Sequence, residues 1–462
     1  DAWRQYRGGP RHLGSLAAEA PQAVSLRTAD KLAHPLPVPP GHFQNRWEWI
    51  ERATPPVSDG HRAYYGLSTG LLRAVRIEDG GEAWRFQAAG PIFMAPVLAQ
   101  GRLYAGCGDG WVYCLDAAGG ELVWRWRAAP LERHMMVYGK LVSTWPVMAV
   151  LEVDGVIYGN AGLLQLNGWN SFALDAATGE PRWTRRHDPV ELPERYSWIE
   201  DSFGLVGYPA LLGRNLVAGK HACLPGVIDA RTGLPPRAAD DSRCTLIAWP
   251  GATNMDTITR DPGLILRGGL HYFSNPDLRR FKRSCSYREY RLSEFSDPAR
   301  QKQMSKASNR KMMGALKIFS NYTLTPAIMD EHYLVPAENG LALWTRRQIV
   351  DPSDKTHTTL SKRESRKRGW QTYVENNAEW SHEGVFNNAT ALCRDAALVA
   401  AAAKNENGML GPWTVRAYER ADGNLRWQVE LPCEPARNGL AAAGDGYALV
   451  YLRDSNLVVV EP

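Results

Sequence analysis

The chain reads as an all-β propeller, a ring of four-stranded antiparallel units in which each unit buries its apolar face only against its neighbours. Three observations point there. A phrase recurs in which a hairpin is followed by an acidic residue, a turn of small residues and Gly, and then Trp. Its clearest copies are LYAGCGDGWVYCLDAAGGELVWRW from Leu103 and WNSFALDAATGEPRWTRR from Trp169, with weaker ones from Leu71, Gly226 and Val415. The spacing, on the order of 40 to 55 residues, is that of a repeat too small to stand alone. The 17 Trp, 18 Tyr and 42 Gly in 462 residues suit many short strands joined by tight turns.

Each copy can be read position by position. Leu103 to Cys107 and Trp111 to Leu115 form a hairpin around Gly108, Asp109 and Gly110, and Asp116 opens a second turn by capping backbone amides. Trp84, Trp124, Trp183 and Trp427 then follow the turn glycine at an almost fixed distance, which places each indole for packing against the next sheet. Units fall at about 47–87, 90–128, 141–187, 204–240, 243–295, 316–348, 370–430 and 436–462, giving an eight-bladed propeller; seven blades fit as well, because 241–330 carries no clean copy. The last unit has only the strands Gly446 to Leu452 and Ser455 to Val460, so a strand around Trp3 to Arg7 is expected to complete it and close the ring through both termini. The stretch 1–462 is one domain, with 1–46 as closing strand and lead-in, and with irregular insertions at 296–315 and 351–369. Ala389 to Lys404 reads as a helix or as a buried strand.

The segments FALDAATGEPRW from Phe172 and CLDAAGGELVW from Cys114 resemble the tryptophan-docking repeat of the PQQ-like, quinoprotein-type eight-bladed β-propellers. The resemblance covers most of 57–187 and 400–462 and is patchy between them, the Trp of the fourth copy being replaced where Leu234, Pro235 and Pro236 stand. It implies a non-catalytic module that binds or assembles a protein or glycan partner. Its alternative is a quinoprotein dehydrogenase of alcohols or sugars that holds PQQ with Ca²⁺. Relatives of this kind are usually exported to the periplasm or beyond, so a leader is expected to have been removed; the chain begins with Asp1. The enzymatic relatives often carry adjacent cysteines over the cofactor, and this sequence has none; Asp116 and Asp175 are read as turn residues.

Other chemistry finds little purchase. There is no CxxCH, HExxH or P-loop, and no two of the 11 His stand three or four apart. His332 beside Glu331 reads as a strand residue, and of the seven Cys only Cys223 and Cys244 have a spacing that invites a disulfide. No apolar run is long enough to span a membrane as a helix. A net charge of +5 is too small to argue for nucleic acid. The basic runs from Arg300 to Lys317 and from Lys355 to Arg368 read as projecting loops. Sequons occur at Asn321 and Asn388.

What the repeat does not require are three insertions, from Leu131, Asp188 and Gly369. Tyr138, Lys140 and Trp145 in the first, Trp198, Glu200 and Asp201 in the second, and Trp380, His382 and Glu383 in the third combine aromatic surface with titratable groups. Connections on one face of a propeller converge on its funnel, so these nine are the candidate ligand-binding residues for a sugar or quinone ring. Facing carboxylates such as Glu200 and Glu383 would permit a third reading, glycan cleavage in the funnel.

Overall fold

The computed structural model describes residues 2–10, 12–22, 25–30, 53–137, 140–162, 168–187, 206–219, 225–234, 327–337, 340–345, 378–404, 410–444, 446–453 and 456–461, with short strands at 244–247, 256–259, 267–268, 285–286 and 317–318. Among these residues no helix exceeds the single 3-10 turn Tyr6–Gly8. Sheet 1 comprises Val57–Ser58, Arg62–Gly66, Leu71–Arg76 and Glu82–Gln87; sheet 2, Val97–Ala99, Arg102–Gly106, Trp111–Asp116 and Leu122–Arg127; sheet 3, Val147–Val153, Val156–Ala161, Trp169–Asp175 and Pro181–His187. Sheet 4 has three strands among the described residues, Val206–Leu212, Asn215–Gly219 and Pro225–Asp229. Sheet 5 comprises Ala327–Met329, His332–Ala337, Gly340–Thr345 and Trp380–Glu383; sheet 6, Val385–Leu392, Ala396–Lys404, Leu410–Glu419 and Leu425–Glu430. Each is an antiparallel meander, and first strands of neighbouring sheets pack together from sheet 1 to sheet 4 and from sheet 5 to sheet 6. An all-β, propeller-type fold follows. The eight-blade count rests on 241–330, which lies largely outside the described residues.

Two expectations change. Ala396–Lys404 is a strand, apolar all round because it lies between two others in the interior of sheet 6. The expected unit 370–430 divides: Trp380–Glu383 is the fourth strand of sheet 5, and sheet 6 begins after Gly384, which turns at φ +67°.

Sheet 7 is built from Pro435–Gly444, Tyr447–Leu452 and Leu457–Glu461, and its fourth strand is Ser25–Asp30, not Trp3 to Arg7. Leu26 faces Val460 and Thr28 faces Val458, while Arg27 pairs with Glu461 at 2.9 Å and donates to the Ile77 carbonyl of sheet 1. Trp3 to Arg7 cannot serve as a strand: Arg7 sits at φ +54° inside the 3-10 turn. Instead the N-terminal segment lies across the ends of the first strands. The Trp3 carbonyl accepts from Ser58 N of sheet 1, Arg4 O from Leu98 N of sheet 2, and Gln5 Nε2 donates to Glu152 O of sheet 3. Pro10 O then accepts from Leu211 N, Leu13 O from Ile328 N, and Gly14 O from Leu392 N, reaching sheets 4, 5 and 6. Tyr6 is buried among these strands, stacked on Tyr208 at 3.6 Å and hydrogen-bonded by Asn438 Nδ2 at 3.0 Å.

The sheets are fastened by one repeated contact. Trp84 Nε1 donates to Ala117 O of the next sheet at 2.9 Å, Trp124 to Ala176 O at 3.1 Å, Trp183 to Ala230 O at 2.9 Å and Trp380 to Arg420 O at 3.0 Å. Trp427 closes the series on Pro21 O, in the N-terminal segment. Beneath each of the first four indoles lies the next turn's glycine, Gly120, Gly179, Gly233 or Gly423, at φ between +68° and +81°. A Cβ on any of these would meet the ring at 2.5 to 2.7 Å. The turn itself is set by an aspartate: Asp116 Oδ2 accepts from Ala118 and Gly119, and Asp175 Oδ1 from Ala177 and Thr178.

Two tests follow from this fastening. Gly101 and Gly120 both have positive φ, +72° and +81°, so alanine costs each about 1–2 kcal/mol of backbone strain. Only at 120 does the new methyl enter a ring, and Gly120→Ala is predicted to lose about 3 kcal/mol or more in denaturant unfolding while Gly101→Ala loses no more than the strain; equal losses would refute ring packing as the constraint. The second concerns Asp395, whose carboxylate accepts from Ala20 N at 2.8 Å and from Arg426 at 2.6 Å. Burial raises its pKa, but the Ala20 amide and Arg426 together outweigh that and hold it below the ordinary value. A lowered folded pKa means that the contribution is present above the unfolded value of about 3.9 and is lost as pH falls through the folded one. Asp395→Asn, which mimics the protonated acid, is predicted to speed amide exchange at Ala20 at neutral pH, and unchanged exchange would refute the tether.

Candidate functional site

The two ends of the sheets differ in kind. At one end lie the turns between first and second strands and between third and fourth, tied together by bonds such as Ala117 N to Gly101 O and Ala176 N to Gly155 O. The docking tryptophans and the described N-terminal residues 3–10 and 12–20 sit at this end. The other end holds the turns between second and third strands and the connections from one sheet to the next; among the described residues, the chain departs from the repeat there between sheets 2 and 3.

The connection from sheet 2 to sheet 3 carries an extra hairpin, His134–Val137 paired with Lys140–Ser143. Its alternation decides what it shows to solvent. Met135 lies opposite Val142, and this pair faces inward, Val142 being 1% exposed and Met135 packed against the same cluster as Phe93. One rung on, Met136 lies opposite Leu141 on the reverse face, 69% and 60% exposed. The root is pinned by Ser143 N to Gly108 O at 2.7 Å and Thr144 N to Arg133 O at 2.7 Å. Arg133 and His134 are exposed at the base, Lys140 is half-buried at the last rung, and Arg127 stands 4.0 Å from Glu132.

Five of the nine candidate residues are described, and these five are spread over separate places in the fold. Tyr138, Trp198, Glu200 and Asp201 lie outside the described residues, and with them the pairing of Glu200 and Glu383. Lys140 is on the hairpin. Trp145 is 6% exposed, in the apolar cluster with Val147 and Phe172 between sheets 2 and 3. Trp380 and His382 are on the outermost strand of sheet 5, in its docking junction with sheet 6 rather than at a funnel: His382 Nε2 meets Gly423 O at 2.8 Å and its ring stacks on Tyr418 at 4.2 Å. Glu383 is exposed on that same outer strand. The spacing that marks the other docking residues could not find Trp380, because the insertion after Thr345 separates it from its own turn. Nothing in the run HMMV, with three apolar residues in succession, separates the exposed Met136 from the inward Met135.

Reactive groups are muted where they are described. Burial pushes the Cys107 thiol well above its ordinary value, Cys114 up to about 11 and Cys393 up to about 12, so all three stay protonated at neutral pH. His332 lies 2.9 Å from the Arg420 guanidinium; burial first, then that cation, lowers its pKa. Asn388 of the second sequon lies in a strand and donates its amide to Glu434 and Pro435 O, and Cys223 of the expected disulfide is outside the described residues. A quinone with Ca²⁺ would require a cluster of oxygen donors and a slot for a flat ring. Among the described residues no three His, Cys, Asp or Glu side chains gather into such a cluster, and the slot between the first strands is filled by Tyr6 on Tyr208. These residues do not fit that group. Nor, among them, is any helix long and apolar enough to cross a membrane.

The family model described as outer membrane protein assembly factor BamB matches residues 42–233. The outer membrane protein assembly factor BamB of Burkholderia pseudomallei (strain K96243) is 27% identical over 180 residues, 38% of this chain and 42% of that relative's length. Among solved structures, quinohemoprotein alcohol dehydrogenase from Comamonas testosteroni is similar with a TM-score of 0.52 at 13% identity, over 99% of this chain and 80% of its own. A quinohemoprotein alcohol dehydrogenase from Pseudomonas putida HK5 gives 0.50 at 12%, over 99% and 79%. At these identities the likeness to the dehydrogenases is one of fold.

The two faces of the hairpin make opposite predictions. Leu141→Ser changes a side chain already 60% exposed and should leave the unfolding midpoint within about 0.5 kcal/mol of the parent. Val142→Ser places a hydroxyl where exposure is 1% and should cost about 2 kcal/mol. Equal costs would mean that the faces are assigned the wrong way round.

Proposed function

Because the chain belongs to the PQQ-like repeat family, we propose that it is a non-catalytic module that binds and assembles a protein partner in the cell envelope. The observation that carries the reading is the N-terminal segment: Tyr6, stacked on Tyr208 and held by Asn438, fills space between the first strands with the protein's own ring. What supports assembly is the irregular end, whose hairpin exposes Met136 and Leu141 on a rigid base, and the match of 42–233, a stretch containing that hairpin, to an assembly factor family. A rigid scaffold presenting few apolar anchors suits protein recognition better than turnover. A glycan partner draws less support, since Trp145 and Trp380, the described aromatic candidates for stacking on a sugar, are buried.

The test places a photo-crosslinking side chain at position 136, or at position 79 in a third-to-fourth-strand turn at the opposite end, in cells of the source organism. A discrete protein adduct from 136 and none from 79 is expected. Calorimetry with PQQ and Ca²⁺ is the opposing measurement: a stoichiometric, metal-dependent heat together with dye-linked alcohol oxidation would overturn the reading in favour of the dehydrogenase.

A further inference from the structure

The exposed apolar side chains are not scattered evenly. Of the eight large hydrophobics that are exposed among the described residues, Leu131, Met136 and Leu141 fall on the connection from sheet 2 to sheet 3, while Leu122 and Val123 begin the outer strand of sheet 2 beside its docking turn. Singly exposed apolar residues need no explanation, but a group of them on one connection marks a contact surface. Charge is uneven there as well. Between Leu122 and Ser143 stand Arg125, Arg127, Arg133 and Lys140 against one carboxylate, Glu132, which is 4.0 Å from Arg127. The sheet of the hairpin has two strands among the described residues, and its outward rung is the cross-strand pair Met136 and Leu141.

From these features, and resting on the assembly reading above, we infer that the 134–143 hairpin receives an extended segment of a protein partner in which apolar and acidic residues alternate. The segment adds alongside the hairpin as a further strand. Its apolar side chains, which recur every second residue, continue the Met136 and Leu141 face, and main-chain bonds supply the affinity. Its carboxylates lie toward Arg133 and Lys140, which accounts for the basic excess. Methionine suits such a face because its unbranched thioether adapts to differing neighbours. A lipid surface fits less well: the exposed pair is on the flank of the hairpin, one rung below its tip, and the last rung carries Lys140.

The measurement uses fluorescently labelled peptides with the purified full chain. One peptide is Glu-Val-Glu-Leu-Glu-Val-Glu, one has Lys for every Glu, and one is the acidic peptide with its alternate amides N-methylated so that it cannot join a sheet; phosphatidylglycerol vesicles form a further arm. The acidic peptide is expected to bind, the other two at least about tenfold more weakly. Met136→Asp with Leu141→Asp should weaken the acidic peptide by a similar factor without moving the unfolding midpoint, and raised salt should weaken it in the parent. Equal binding of the acidic and lysine peptides, indifference to N-methylation or to the double substitution, or vesicle binding without peptide binding each overturns the inference. If the crosslink from position 136 forms and the acidic peptide still fails, strand addition falls and the assembly reading stands; failure of both removes both.

Discussion

The structure depends on one contact, an indole of the outermost strand donating its N–H to a carbonyl in the next sheet's turn while its ring lies on a glycine of that turn. The contact needs three things at once. The backbone must turn with positive φ, there must be no Cβ under the ring, and the turn carbonyl must point at the indole. Gly120 under Trp84 and Gly179 under Trp124 satisfy all three, and Asp116 and Asp175 hold the turns open by accepting the amides that follow them. A single sheet gains nothing from its own tryptophan. The stabilisation, on the order of 2–3 kcal/mol for a buried ring of this size, appears only when the next sheet is present, so the repeat is cooperative along the chain.

The same logic explains the N-terminal segment. Trp427 docks toward sheet 7, whose third and fourth strands, Leu457–Glu461 and Ser25–Asp30, are not joined in chain order, so the carbonyl it needs is supplied by Pro21, just ahead of Ser25–Asp30. Once the chain has been brought to that point, the residues before it must pass the ends of the first strands, where each exposed amide or carbonyl seeks a partner. Trp3, Arg4, Gln5, Pro10, Leu13 and Gly14 meet these groups one sheet after another. One end of the protein is thereby filled and stiffened by its own chain.

What the sequence made legible was whatever is local. The hairpins, the aspartate turns and the docking positions at Trp84, Trp124 and Trp183 each sit inside one contiguous phrase, and the all-β propeller class followed from them. What it hid was non-local. Ser25–Asp30 pairs with residues more than four hundred positions away, and nothing in SLRTAD announces Leu457–Glu461 as its partner. Trp3 to Arg7 looked more like a strand because it is aromatic, yet its aromatic residues fill space between sheets and Arg7 turns the backbone out of the extended region. The candidate residues show the same limit. Joining aromatic rings to titratable neighbours picks out Trp380 and His382, and a propeller spends that same combination on docking; the more telling residues were apolar and exposed, which only a burial pattern reveals.

The division between the ends bears on what the molecule can do. At the docking end Tyr6, Tyr208 and His12 are buried against one another, with ring centroids 3.6 to 5.9 Å apart. The freedom that remains is at the opposite end, where the connections between sheets are not bound by the docking rule. An insertion there costs the ring nothing so long as its root is fixed, as Ser143 and Thr144 fix the hairpin on Gly108 and Arg133. The inward pair Met135 and Val142 then sets the angle, and the outward pair Met136 and Leu141 is held in place before any partner arrives. Preorganisation of this kind removes much of the ordering cost of association, so that a small apolar patch on a stiff base can serve as an anchor where the same residues on a loose loop could not.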